Sequence, residues 1–229
     1  MHLFALCGLT LFLYMWAFNA GTNLVASGIS GFIIASAPVF TLILSIIFLR
    51  ERVRVSVLAG VFISFVGIAI IAATQMADFS LNIGVLLLLA AAIVTSFFII
   101  IQRKLLKLYT TLQVTAYPII IGTIFMLIFL PNMISQTPSA SLSAHLVVLY
   151  LGIFPAAIAY FLWTYALSKA EKTVHITSFL YLSPFLASIM AFVWLGEVIP
   201  ALAYVGGVIV IAGTVLTNLF KKTKESKRD

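Results

Sequence analysis

The sequence predicts an all-α polytopic membrane protein with eight transmembrane helices, and three observations carry that prediction. Of 229 residues, 63% are hydrophobic and only 8% are charged, where a soluble domain carries about 25% charged residues. The apolar residues gather into eight runs, each close to the roughly 20 residues needed to cross a bilayer. Every Lys and Arg falls after an even-numbered run.

The runs are Leu3–Asn19, Leu24–Leu49, Val55–Ala73, Leu81–Ile101, Leu112–Leu130, Leu146–Leu167, Val174–Leu195 and Ala201–Phe220, and none contains Lys, Arg, Asp or Glu. The first begins directly after Met1 and His2, without the basic segment that opens a signal peptide, and so reads as a true helix. Turn-forming residues separate the runs: Gly21-Thr22-Asn23, Asp78-Phe79-Ser80, Pro131-Asn132 with Pro138, and Pro200. The runs are continuous and lack the alternation of a β-barrel wall, which excludes that class.

Charge then sets the orientation. Arg50, Arg52 and Arg54 follow the second run, and Arg103, Lys104 and Lys107 the fourth. Lys169 and Lys172 follow the sixth, and Lys221, Lys222, Lys224, Lys227 and Arg228 the eighth. Basic residues stay on the cytoplasmic side of membrane proteins, so both termini are expected there, in the cell membrane. The formal charge of +7 does not indicate a nucleic-acid partner, because the basic residues sit between apolar runs and not on one face. Cys7 is the only cysteine, so no internal disulfide can form.

A shift of 146 residues lays the chain on itself: Pro38 meets Pro184, Leu49 meets Leu195, Glu51 meets Glu197, Gly60 meets Gly206 and Gly67 meets Gly213. The copies begin in the second and seventh runs. An odd offset of helices means that they cross the membrane in opposite directions, an arrangement used by secondary transporters. A mid-helix Pro followed by Leu195-Gly196-Glu197, a short turn and a Gly-spaced helix resembles the EamA domain of the drug/metabolite transporter superfamily. In the first copy the motif reads Leu49-Arg50-Glu51, with Arg in place of Gly.

The resemblance implies two inverted five-helix repeats, of which the first is incomplete here. Residues 1–76 would supply three helices of the first repeat, 77–220 the complete second, and 221–229 a basic cytoplasmic tail. It also implies that two helices of a ten-helix carrier are missing ahead of Met1, and that the chain as given transports poorly.

Several residues are candidates to line a central cavity. Pro38 and Pro184 interrupt corresponding helices, and a proline removes a backbone hydrogen bond, which a membrane tolerates against protein or a water-filled cavity. Thr177, Tyr181, Pro184 and Ser188 share a face of the seventh run, and Thr41 continues that of Pro38 on the second. Tyr160 and Trp163 extend the small-residue face of Gly152 and Ala156 on the sixth. Close helix packing competes with site lining for each of these. Glu51 and Glu197 are expected to cap the helix that follows each of them, and Gly60, Gly67, Gly206 and Gly213 to serve as structural repeat positions.

The sequence contains no mid-span Lys, buried carboxylate pair, His-Cys cluster or phosphate-cradling Gly loop, so no enzyme, metal or cofactor is expected. The absence of a carboxylate inside a span points away from proton coupling through this chain. The expected function is a carrier of small metabolites, with the lipid bilayer and a small-molecule substrate as partners and a homodimer left open. The resemblance suggests amino acids or related compounds, moved outward. The competing reading is an integral accessory or assembly subunit, or a carrier without function.

Overall fold

A computed structural model describes residues 1–25, 27–73, 83–195 and 201–219. All regular structure among these residues is helical. Five helical runs are long and apolar enough to cross a membrane: His2–Thr22, Ser30–Leu49, Ile83–Leu105, Thr111–Gln136 and Leu142–Lys169. Val55–Ile71 and Tyr204–Leu219 are shorter apolar helices. The chain forms two compact units, one of residues 1–13 and 101–170, the other of residues 14–100 and 171–229.

The first unit holds the start of α1 (His2–Thr22), the end of α5 (Ile83–Leu105), α6 (Thr111–Met126), α7 (Leu130–Gln136), α8 (Leu142–Leu151) and α9 (Tyr160–Lys169). Thr110 opens α6 with a capping box: its hydroxyl accepts from the Gln113 N–H, and the Gln113 side chain accepts from the Thr110 N–H. α1 lies close against α6, where a Cβ on Gly122 would come 3.2 Å from the Gly8 carbonyl oxygen. The Phe4 ring sits edge-on to Tyr109 and Tyr117, with centroids 4.8 and 5.1 Å away.

Pro131 is not in a loop, as the sequence suggested, but in the first turn of α7. There its missing N–H leaves no hydrogen bond unmade. Ser141 caps α8 through the Ala144 N–H. Between α8 and α9 the helix widens into a π turn over Gly152–Ala159, with Pro155 at its centre. Proline cannot donate to the carbonyl four residues back, and the wider turn accommodates that loss.

The second unit contains the interrupted helices. Leu24–Leu49 is not one helix: α2 (Ser27–Ile34) ends, residues 35 and 36 form a turn, and α3 (Ala37–Leu49) begins with Pro38 in its first turn. Pro38 has no N–H to give the Ile34 carbonyl four residues back, so the break falls just ahead of it. The Ile33 carbonyl accepts from the Ser36 N–H at 3.1 Å and from the Ser36 hydroxyl at 2.5 Å. Ser96 of α5 donates to the Ala37 carbonyl at 2.9 Å. The seventh run breaks in a similar place. α10 (Thr173–Thr177) passes through a 3-10 turn at Ser178–Tyr181 into α11 (Leu182–Leu195), with Pro184 near its start.

The core of this unit joins Leu42 of α3, Val57, Val61, Ile68 and Ile71 of α4 (Val55–Ala73), Val174 and Tyr181, and Val210 of α12 (Ala201–Leu219). α4 and α12 run antiparallel and touch through glycines. A Cβ on Gly60 would lie 2.7 Å from the Gly213 carbonyl oxygen, and one on Gly213 would lie 2.6 Å from that of Gly60. Gly67 and Gly206 stand in the same relation, at 2.7 Å each way. Only glycine lets two helix backbones come this close.

Candidate functional site

Thr41 and Tyr181 lie on the second segments of the two interrupted helices or just before them. α3 packs against α10 and against the 3-10 turn that carries Tyr181. Tyr181 joins the same core cluster as Leu42, the residue after Thr41. Both side chains are fully buried, and neither the Thr41 Oγ1 nor the Tyr181 hydroxyl has a hydrogen-bond partner. Leaving a buried polar group unpaired costs about 1–3 kcal/mol. Both groups stand on interrupted helices that pack together.

The hydroxyls around them are paired. Thr177 donates to the carbonyls of Thr173 and Val174, each at 3.4 Å. Ser178 donates to the His175 carbonyl at 3.2 Å and accepts from the Asn218 amide at 3.1 Å. Pro38 is buried and Pro184 half-buried. Glu197 and the side chain of Ser188 lie outside the described residues. Gly60, Gly67, Gly206 and Gly213 are the contact points of α4 and α12, where Ser64 also donates to the Val210 carbonyl at 3.3 Å.

Tyr160 and Trp163 are half-buried in α9 of the first unit. Gly152 and Ala156, expected to share their face, lie in the π turn that precedes α9. Sequence reasoning passed over Gln102 in the same unit. It is 1% exposed, its amide donates to Thr164 Oγ1 at 3.2 Å, and its carbonyl oxygen has no partner. A lone amide between the last apolar residue of the fourth run, Ile101, and the basic Arg103 was the available signal. Beside it, the Arg103 guanidinium donates to the carbonyls of Leu167 and Ala170, closing the C-terminus of α9.

Glu51 does not cap the helix that follows it. Its carboxylate accepts from the Thr173 N–H at 3.0 and 3.1 Å and from the Thr173 hydroxyl at 2.7 Å. It thereby caps α10, whose own preceding residue, Lys172, makes no side-chain cap. The turn after α3 aims it there: Arg50 is left-handed at φ 55°, and its own N–H and that of Glu51 both bond back to the Ser45 carbonyl. Among the described residues no group of three His, Cys, Asp or Glu side chains could hold a metal.

The sequence profile of the EamA-like transporter family matches residues 1–73 and 82–219. The chain belongs to that family. It is 39% identical over 216 residues to a probable terminal-alkyne amino-acid exporter of Streptantibioticus cattleyicolor, covering 93% of this chain and 72% of that protein. An uncharacterized transporter of Bacillus subtilis, YdfC, is 33% identical over 202 residues, covering 88% of this chain and 65% of its own length. One crystal structure superimposes with a TM-score of 0.79 over 94% of this chain and 76% of its own, at 19% identity, a likeness of fold alone. EamA-like transporters are membrane proteins, which agrees with the membrane-length apolar helices here.

Proposed function

We propose that this EamA-family chain is a secondary carrier that moves amino acids or related small metabolites outward across the cell membrane by alternating access. The carrying observation is the pair of buried, unpartnered hydroxyls, Thr41 and Tyr181, on interrupted helices in a chain without buried charged clusters among its described residues. Hydroxyl and backbone groups of this kind suit neutral or zwitterionic solutes better than polyanions. The relative named as a probable amino-acid exporter supports the same class.

The proposed architecture has eight crossings, with both termini cytoplasmic. Its division is an incomplete first repeat at 1–76, a second at 77–220 and a tail at 221–229. The reciprocal contacts of Gly60 with Gly213 and of Gly67 with Gly206 favour the inverted repeat, because helices related by such symmetry meet antiparallel and exchange equivalent residues. The two matched stretches, 1–73 and 82–219, fit the same division. Pro38, Thr41, Thr177, Tyr181, Pro184 and Ser188, all of the second unit, are assigned to the central path.

Counterflow of a panel of labelled amino acids into liposomes tests this reading. Tyr181→Phe and Thr41→Val remove one hydroxyl each and keep the shape. Each is expected to lower uptake about tenfold, on the scale of one lost hydrogen bond to a solute, without lowering thermal stability. Uptake unchanged in both variants would remove these residues from the path.

A further inference from the structure

We infer that Glu51 is a positioning residue, a carboxylate latch that holds the interrupted helix carrying Thr177 and Tyr181 closed on the side of the membrane bearing Arg50, Arg52, Arg54, Lys169 and Lys172. The inference rests on the carrier reading above.

Three features support it. The contact joins residues 122 apart in sequence, so it ties two elements that no local turn connects. All three hydrogen bonds of the carboxylate go to one residue, Thr173, which is fully buried. Thr173 opens the helical run to Leu195, and Thr177 and Tyr181 follow one and two turns later. Releasing Glu51 therefore frees the first turn of the segment nearest the orphaned hydroxyls. Bonds from an N–H and a hydroxyl to a carboxylate are roughly twice as strong as neutral ones, yet they are few enough to break and re-form.

The sequence repeats both partners. The 146-residue shift lays Glu51 on Glu197 and Ser27 on Thr173, so a carboxylate and a hydroxyl recur together. Glu197 lies outside the described residues and enters here only as a sequence position.

The test uses the full chain with Cys7→Ala and Thr177→Cys, labelled by a membrane-impermeant maleimide from the cytoplasmic face of inside-out vesicles. Glu51→Ala is expected to raise the labelling rate about five- to tenfold, the shift produced by losing one helix cap. Glu51→Gln keeps an acceptor oxygen and is expected to rescue most of the effect. Thr173→Ala keeps the N–H bonds and should give a smaller rise. Unchanged labelling in a folded Glu51→Ala protein would overturn the latch. If that variant fails to fold, Thr173→Ala decides, and an unchanged rate there overturns it equally. A similar rise with Glu197→Ala would also overturn it, because the effect would then be general loosening. Labelling needs no solute, so altered labelling without counterflow would instead count against the carrier reading.

Discussion

α4 and the helical run Leu142–Ser168 are both uninterrupted apolar sequence, yet they solve opposite packing problems. α4 is sealed against α12 by glycines whose carbonyls stand where a Cβ would go. Residues 140–159 are exposed on every face, and nothing lies within 4 Å of a Cβ built on Gly152. Hydrophobicity does not separate the two cases, because lipid and protein interior are equally apolar. The placement of small residues does: Gly60 with Gly67, and Gly206 with Gly213, recur two turns apart on one face.

The same kind of substitution in the two regions should break this comparison if it is wrong. Gly67→Ala places its Cβ 2.7 Å from the Gly206 carbonyl oxygen and is expected to cost about 3 kcal/mol, the upper range for overpacking. Gly152→Ala meets open space and should stay within about 0.5 kcal/mol of the parent. Thermal unfolding in detergent micelles measures both. Equal losses would mean that the glycine crossing is not what holds α4 to α12.

A smaller effect is expected where the first unit is held by a side chain and not by close backbones. Arg103→Gln removes the charged donors that close the end of α9 and is expected to cost about 1.5–3 kcal/mol. Arg103→Lys keeps the charge without the planar fork and should recover only part of it. Full recovery by Lys would reduce the contact to simple charge attraction.

Much of this follows from the sequence because charge-free apolar runs of this length are set directly by the bilayer's thickness. Five helical runs long enough to cross a membrane fall on expected segments, and the interruptions sit at Pro38 and Pro184, where a missing N–H forces them. The four repeat glycines were visible as a spacing, but their reciprocal contact was not, since spacing does not name the opposing helix. Glu51 shows the limit most clearly. Its role as a helix cap follows from its charge and its place beside a helix end, whereas its partner, Thr173, is set by how α3 and α10 pack. Gln102 and Arg103 were opaque for the same reason: their partners on α9 lie more than 60 residues away.

A small effect concerns the turn that aims Glu51. Arg50 is the only non-glycine residue with positive φ among those described, and it stands where the repeat-related position has Gly196. A side chain in left-handed geometry costs roughly 1–2 kcal/mol, while glycine gives back about 0.5–1 kcal/mol through its freer unfolded chain. Arg50→Gly should therefore stabilise the protein by about 0.5–1 kcal/mol. Arg52 and Arg54 keep that loop basic, so orientation should not change. The Glu51 N–H would still bond to the Ser45 carbonyl, and the carboxylate would still reach Thr173. Thermal unfolding should rise slightly, with cytoplasmic labelling of Thr177→Cys unchanged. A loss of stability would show that the Arg50 side chain contributes contacts worth more than the strain of its backbone.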